Sequence, residues 1–171
     1  MVDIVDPETR SRMMSQIRSS HTRPEIAIRQ LLHRQGFRYR LHVQNLAGKP
    51  DIVLPRYGAV IFVHGCFWHG HDCPLFRPPG TRQDFWQKKM ARNRENDRKV
   101  QAALLSDGWR IAVVWECAVR GKHADLQNIA QELANWLRGT GSRLELRGSP
   151  DAPSDRRRSF AMRGETAGLL N

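Results

Sequence analysis

Long apolar stretches are missing from this sequence. Its longest uninterrupted runs, residues 59–63 and 111–115, hold five residues each, against the ~20 that a membrane-spanning helix requires. That rules out a transmembrane helix. A basic start followed by an apolar core is also missing, since Met1 to Ile4 lead straight into Asp6 and Glu8; no secretory signal is expected, which places the protein in the cytoplasm. Cysteine is scarce. Cys66, Cys73 and Cys117 are odd in number and cannot all pair within one chain, so reduced thiols are expected. Acidic side chains are in deficit, 17 against 28 Lys and Arg, leaving a net charge of +11. Such an excess repels itself unless a polyanion is the partner, and phosphate backbone is the commonest one. The alternative is a merely soluble basic protein. With 171 residues, 40% hydrophobic and 26% charged, the chain has the composition of one globular domain.

What is present organises as alternating helices and strands. Asp6-Pro7-Glu8 opens a short arginine-rich helix to about residue 18, and Thr22-x-x-Glu25 has capping-box spacing ahead of a second helix that stops at Gly36. Residues 37–43 alternate apolar and polar, 51–54 and 59–63 are short apolar runs, and together they predict a three-stranded antiparallel meander. Residues 64–80 hold repeated Gly and Pro and are expected to form an irregular loop that needs something to hold it. Thr81-x-x-Asp84 is expected to cap a long helix to about residue 106; a buried strand at 109–115 and an amphipathic helix at 123–137, closed by Gly139, follow. The folded domain is therefore set at residues 1–138. Residues 139–171, rich in Gly, Ser, Pro and Arg, form an expected disordered tail.

Two constellations carry chemistry. Cys66, Cys73 and Cys117 with a nearby histidine supply a Cys3His set suited to tetrahedral zinc, a structural clip for the irregular loop. His69 and His71 both remain available as the fourth ligand, and three thiols without metal are the alternative. A zinc nucleobase deaminase would need His-x-Glu and Pro-Cys-x-x-Cys, which the sequence lacks. Separately, Pro50-Asp51 at a strand start, followed by a second strand into Val63-His64, resembles the opening of the PD-(D/E)XK nuclease pattern. Asp51 is a suitable magnesium ligand, and His69 or His64 could activate water where the pattern's second acid and lysine are missing.

The strings Gly48-x-Pro50-Asp51, Val60 through His69 with its HGCFWH core, His71-x-Cys73, Phe85-Trp86 and Val114-Trp115-Glu116-Cys117 together resemble the very short patch repair (Vsr) endonucleases, from about residue 9 to 136. The resemblance implies an α/β, PD-(D/E)XK-like fold with a mixed central sheet flanked by helices and a structural zinc site. It implies a magnesium-dependent, strand-specific endonuclease that nicks double-stranded DNA 5′ to the thymine of T:G mismatches left by 5-methylcytosine deamination. Asp51 then matches the magnesium-binding aspartate, with the Val63 backbone as a further contact, and His69 the water-activating histidine. His64 and Glu25 match supporting catalytic positions; Cys66, His71, Cys73 and Cys117 match the zinc ligands. Val63 stands where the family often has threonine, and Gly70 where another histidine can stand. A monomer linked functionally to a cytosine-5 methyltransferase, with mismatch-repair proteins as further partners and the nucleoid as its place when DNA-bound, completes what the resemblance implies.

DNA contacts follow the same logic. Large apolar side chains can wedge between base steps, at a cost that is smallest at a mismatch. Phe67, Trp68 and Trp86 match the family's wedge, and Met14 matches a contact from the opposite groove. Trp86, Lys89 and Asn93 share a helix face at i, i+3 and i+7, where Lys and Asn can reach base edges. Aromatic core packing and an ordinary solvated basic face are the competing explanations. A non-catalytic zinc DNA-binding module and a same-fold nuclease for other lesions are the competing functions.

Overall fold

The computed structural model describes residues 6, 8, 9, 12, 20–121 and 124–148. Four strands form one mixed sheet in the order β1-β2-β3-β4: β1 (Ile52–Leu54), β2 (Ala59–His64), β3 (Arg110–Trp115) and β4 (Arg143–Leu146). β1 pairs antiparallel with β2 across the tight turn at Pro55–Tyr57, while β2–β3 and β3–β4 are parallel. Parallel neighbours need a crossover, and helices supply both. Helix α3 (Gln83–Ser106) joins β2 to β3, and α5 (Leu126–Arg138) joins β3 to β4; α1 (Arg23–Arg34), α2 (Cys66–His69) and α4 (Glu116–Arg120) complete the order.

Strand parity sorts the core. Ile52, Leu54, Ala59, Ile61, Ala112 and Val114 face α1 and α5, packing with Ile28, Leu32, Leu133 and Leu137. The alternate residues Val53, Val60, Phe62, Ile111 and Val113 meet Leu104 and Val100 of α3. A sheet covered on both faces explains why β2 and β3 are near-continuous apolar runs. At their carboxyl ends, His64 and Trp115 are register partners. The functional residues gather at that edge.

Of the first helix expected from residue 6, only residues 6, 8, 9 and 12 are described: 8, 9 and 12 are helical and Thr9 N–H donates to Asp6 Oδ1 at 2.8 Å, while Met14 lies outside the described residues. The second is present, with the Thr22 side chain accepting from the Glu25 N–H. Five expectations need correction. Residues 37–43 make no strand: Arg40 forms a lone bridge to Val53, and His42 adopts a left-handed conformation at φ 53° that leaves the strand region. The meander thus reduces to one hairpin followed by parallel pairing. Within the expected irregular loop, residues 66–69 make one helical turn, bounded by Gly65 and by Gly70 at φ 57°. A Cβ on Gly70 would lie 2.8 Å from Arg94 Nη1, so glycine here ends the turn and admits α3. Helix α3 begins at Gln83 with Arg82, left-handed, at its N-cap in place of the expected Thr81, and the Arg82 side chain makes no capping hydrogen bond. The end of α5 is as expected, but its start is Asp125, which accepts from the N–H groups of Gln127 and Asn128.

The fifth correction is the boundary at residue 138. Residues 143–146 form β4, Leu146 is buried, and Ile111 N–H donates to Ser142 O. Arg110 fastens the turn before it, its guanidinium donating to the carbonyls of Gly141, Leu137 and Trp136. Composition averaged over 33 residues hides a four-residue edge strand, because such a strand draws its stability from the sheet it joins. Residues 149–171 lie outside the described residues. Among the described residues, no helix is long and apolar enough to cross a membrane.

Candidate active site and metal centre

Asp51 precedes β1, and its Oδ2 accepts the Val63 N–H of β2 at 2.7 Å. It borders a cleft of ≈ 410 Å³ that Glu25, Val63, His64, Trp68 and His69 also line. Burial pushes the Asp51 carboxyl up to about 6, against the Val63 hydrogen bond, and the nearby Glu25 charge pushes the same way. A carboxylate disfavoured by desolvation and a second acid is a site that gains from a cation.

His64 and His69 stack face to face, ring centres 4.2 Å apart and 5° from parallel. Burial, then the neighbouring His69, pushes His64 down to about 4, so it is a neutral imidazole at physiological pH. His69 Nδ1 lies 2.6 Å from Asp97 Oδ2. A carboxylate there holds the proton on Nδ1 and leaves the Nε2 lone pair as the base. Asp97 was not singled out in the sequence, where it is one acid among many cations. Its signal was the four-residue step from Asn93, which puts both on one face of α3.

Glu25 reaches the cleft with its oxygens already engaged. Oε2 accepts from His21 N at 2.9 Å and Arg29 Nη2 at 2.8 Å, and Oε1 from Thr22 Oγ1 at 2.9 Å. It is 3% exposed. Its visible work is to fix the start of α1 beside Asp51. Glu116 and Arg120 of α4, an ion pair on the same cleft wall, were likewise not singled out.

On the other side of α2, the ligand atoms of Cys66, His71, Cys73 and Cys117 lie within 4.8 Å of one another. His71 Nδ1 is 3.5 Å from Cys117 Sγ, and its Nε2 is buried without a hydrogen-bond partner among the described residues. Burial pushes the Cys66 and Cys117 thiols up; a soft cation is what makes converging buried thiolates favourable. His71, not His69, joins the thiols. Gly148 N–H donates to Cys117 Sγ at 3.3 Å, and a Cβ at Gly148 would lie 2.5 Å from Cys117 O.

The aromatic residues cluster at the cleft's outer rim. Phe67 meets Trp68 and Trp86 edge-on at 5.2 and 5.1 Å, and Trp68 and Trp86 lie 6.1 Å apart. Phe85 extends the cluster with 46% of its surface exposed. Lys89 Nζ sits 5.4 Å from the Trp68 ring and 5.5 Å from that of Trp86. Asn93 Nδ2 donates to Trp68 O at 2.7 Å, and Arg94 Nη1 to His69 O at 2.9 Å. In this state Asn93 anchors α2 on α3.

A cleft with Asp51 and two histidines at the carboxyl edge of a mixed sheet, backed by a separate thiol and imidazole cluster that could hold a metal ion, defines the α/β class to which this protein belongs. The family model described as DNA mismatch endonuclease Vsr matches residues 2–75. The chain is 48% identical over 137 residues to the type II nicking enzyme V.XorIIP of Xanthomonas oryzae pv. oryzae, covering 80% of this chain and 98% of that protein. It is 40% identical over 147 residues to the DNA mismatch endonuclease Vsr of Escherichia coli K12, covering 85% and 94%. With the type II nicking enzyme V.NmeAIP of Neisseria meningitidis it shares 44% over 122 residues, covering 71% and 87%. The chain belongs to the Vsr DNA mismatch endonuclease family.

Proposed function

We propose that this protein is a magnesium-dependent DNA endonuclease of PD-(D/E)XK-like architecture that nicks one strand 5′ to the thymine of a T:G mismatch. The observation that carries the reading is the convergence of Asp51, His64 and the His69–Asp97 pair on one cleft, beside a partly buried aromatic cluster and a basic helix. Asp51, with the Val63 backbone, would hold a magnesium ion, which would supply Lewis-acid stabilisation of the charge that develops on the attacked phosphate. His69, its Nδ1 proton held by Asp97, takes the proton from water through Nε2. His64, neutral and stacked on His69, donates a hydrogen bond to the phosphate as a supporting catalytic group. Glu25 keeps the α1 terminus and Arg29 in place beside Asp51.

The zinc ion belongs to Cys66, His71, Cys73 and Cys117, where it fastens α2 to the end of β3. Phe67, Trp68 and Trp86 form the wedge that opens the stack, and a mismatch lowers the cost of that opening. Lys89 and Asn93 read base edges once the wedge inserts, with Asn93 exchanging the Trp68 carbonyl for a base; Met14 approaches from the opposite groove. The endonuclease body runs through β4. It acts as a monomer in the cytoplasm, at the nucleoid when DNA-bound, following the lesions that a cytosine-5 methyltransferase creates, with mismatch-repair proteins downstream.

The test is a nicking assay on T:G, T:A and U:G duplexes at fixed salt, with and without Mg2+, for wild type and Asp51→Ala. Mg-dependent nicking confined to the thymine strand of T:G, lost in Asp51→Ala while duplex binding survives, supports the reading. Binding without cleavage by the wild type would make the protein a zinc-containing DNA-binding module instead. Equal cleavage of T:A would make it a nuclease for other targets.

A further inference from the structure

Trp115 closes β3 beside His64, and its indole separates the two histidine sets. His71 stacks on it at 3.9 Å and 10°. His64 and His69 both meet it edge-on, at 5.3 Å and 79° and at 5.8 Å and 83°. One ring therefore touches a thiol-cluster residue with its face and both cleft imidazoles with its edge. Its rotation is set by one hydrogen bond, Nε1–H to Glu145 Oε1 at 2.7 Å. Glu145 belongs to β4, is steadied by Arg147 Nε at 2.8 Å, and stands three residues before Gly148, whose N–H meets Cys117 Sγ. Behind the histidines a cleft of ≈ 360 Å³, lined by Asp97, Gln101 and Trp115, leaves space into which the imidazoles could turn.

We propose that Trp115, oriented by Glu145, is a positioning residue that holds His64 and His69 in their stacked arrangement and takes its own bearing from His71. This rests on His69 and His64 being the hydrolytic pair. The edge strand β4, which lends no residue to the Asp51 cleft, is then part of what aligns the reaction. Misplacing a reacting group by about 1 Å costs on the order of 10²-fold in rate, and a partial loosening costs less. Gln at position 145 keeps an acceptor for the indole N–H; Ala removes it. Glu145 is half-exposed at its side chain, so neither change threatens folding.

The experiment uses the full chain with its metals, in single-turnover nicking of saturating T:G duplex. Glu145→Ala is expected to slow nicking about 5- to 20-fold, a fraction of the full misplacement cost, with duplex affinity and zinc per chain unchanged. Glu145→Gln should stay within about twofold, since its amide oxygen accepts the same bond. Trp115→Phe, which keeps a face for His71 but lacks the donor, should match Glu145→Ala, and the double variant should be no slower than either single. Independently of cleavage, the imidazole 15N resonances of His64 and His69 in the DNA-free protein should move in Glu145→Ala and stay in place in Glu145→Gln. Wild-type rate with unmoved resonances in Glu145→Ala overturns the inference, as do equal losses in the Ala and Gln variants, additive losses in the double variant, or zinc loss accompanying the slower rate. If the wild type nicks nothing, the functional reading fails while the resonances still decide this one.

Discussion

His69 and His71 stand two residues apart and end in opposite surroundings. His69 is the last residue of a helical turn, faces a carboxylate and lines an open cleft. His71 follows the left-handed Gly70, is 5% exposed, and lies between an indole face and a thiol. The same side chain is thereby offered to two chemistries: beside a carboxylate an imidazole can accept a proton, and beside buried thiols it can join a soft-metal ligand set. What separates them is a single reversal of the backbone.

Removing the thiol side of this comparison should have the largest effect. Cys117→Ser is expected to release zinc and abolish cooperative unfolding near the wild-type midpoint, since structural zinc binding is on the order of 10 kcal/mol of folding free energy; metal content and thermal melts check this. His71→Ala should follow it in zinc loss, while His69→Ala keeps wild-type zinc and melting temperature. On the cleft side, His69→Ala should slow single-turnover nicking by about 10²- to 10⁴-fold, the range for a general base. Asp97→Asn, which leaves the ring but not the charge that orients it, should lose about 10- to 100-fold. Equal zinc loss in His69→Ala and His71→Ala would erase the distinction between the two regions.

The smallest effect has the opposite sign. The Asp51 carboxyl sits at about 6 in the folded chain against 3.8 ordinarily, so the folded state binds its proton more tightly than the unfolded state does. Its stabilising contribution is full below about pH 4 and is lost as pH rises through 6. Above that, the buried charge costs about 1–3 kcal/mol without magnesium. Asp51→Asn, whose amide oxygen still accepts from Val63, should therefore raise the melting temperature of magnesium-free protein at pH 7.5. The gain should vanish by pH 4, and nicking should be lost throughout. A variant no more stable than wild type at pH 7.5 would show that the carboxylate is already compensated.

Much of the fold was legible because local signals agreed with burial. The capping box at Thr22 and Glu25, the apolar runs of β2 and β3, and the stripe Ile129, Leu133, Trp136 and Leu137 appear where periodicity put them, while Leu126, expected in the same stripe, is exposed at the helix start. Residues 37–43 had the right alternation, and Phe37, Tyr39 and Leu41 do pack on the core, but the turn at His42 lets only one bridge form. Strand β4 was illegible because Leu144 and Leu146 are unremarkable until β3 offers them an edge. Asp51, His64 and His69 carried a motif, whereas Asp97 and Glu145 are ordinary surface acids in sequence, and only their partners set them apart.

The sequence alone determined the reagents: three thiols, a histidine-rich turn, an acid beside a strand, aromatic side chains and a surplus of positive charge. Only the tertiary structure decided which histidine meets which partner, because Asp97 reaches His69 across 28 positions of chain and Cys117 reaches His71 across 46. Such contacts form only once the sheet and its crossover helices bring distant elements together, and no local pattern encodes them.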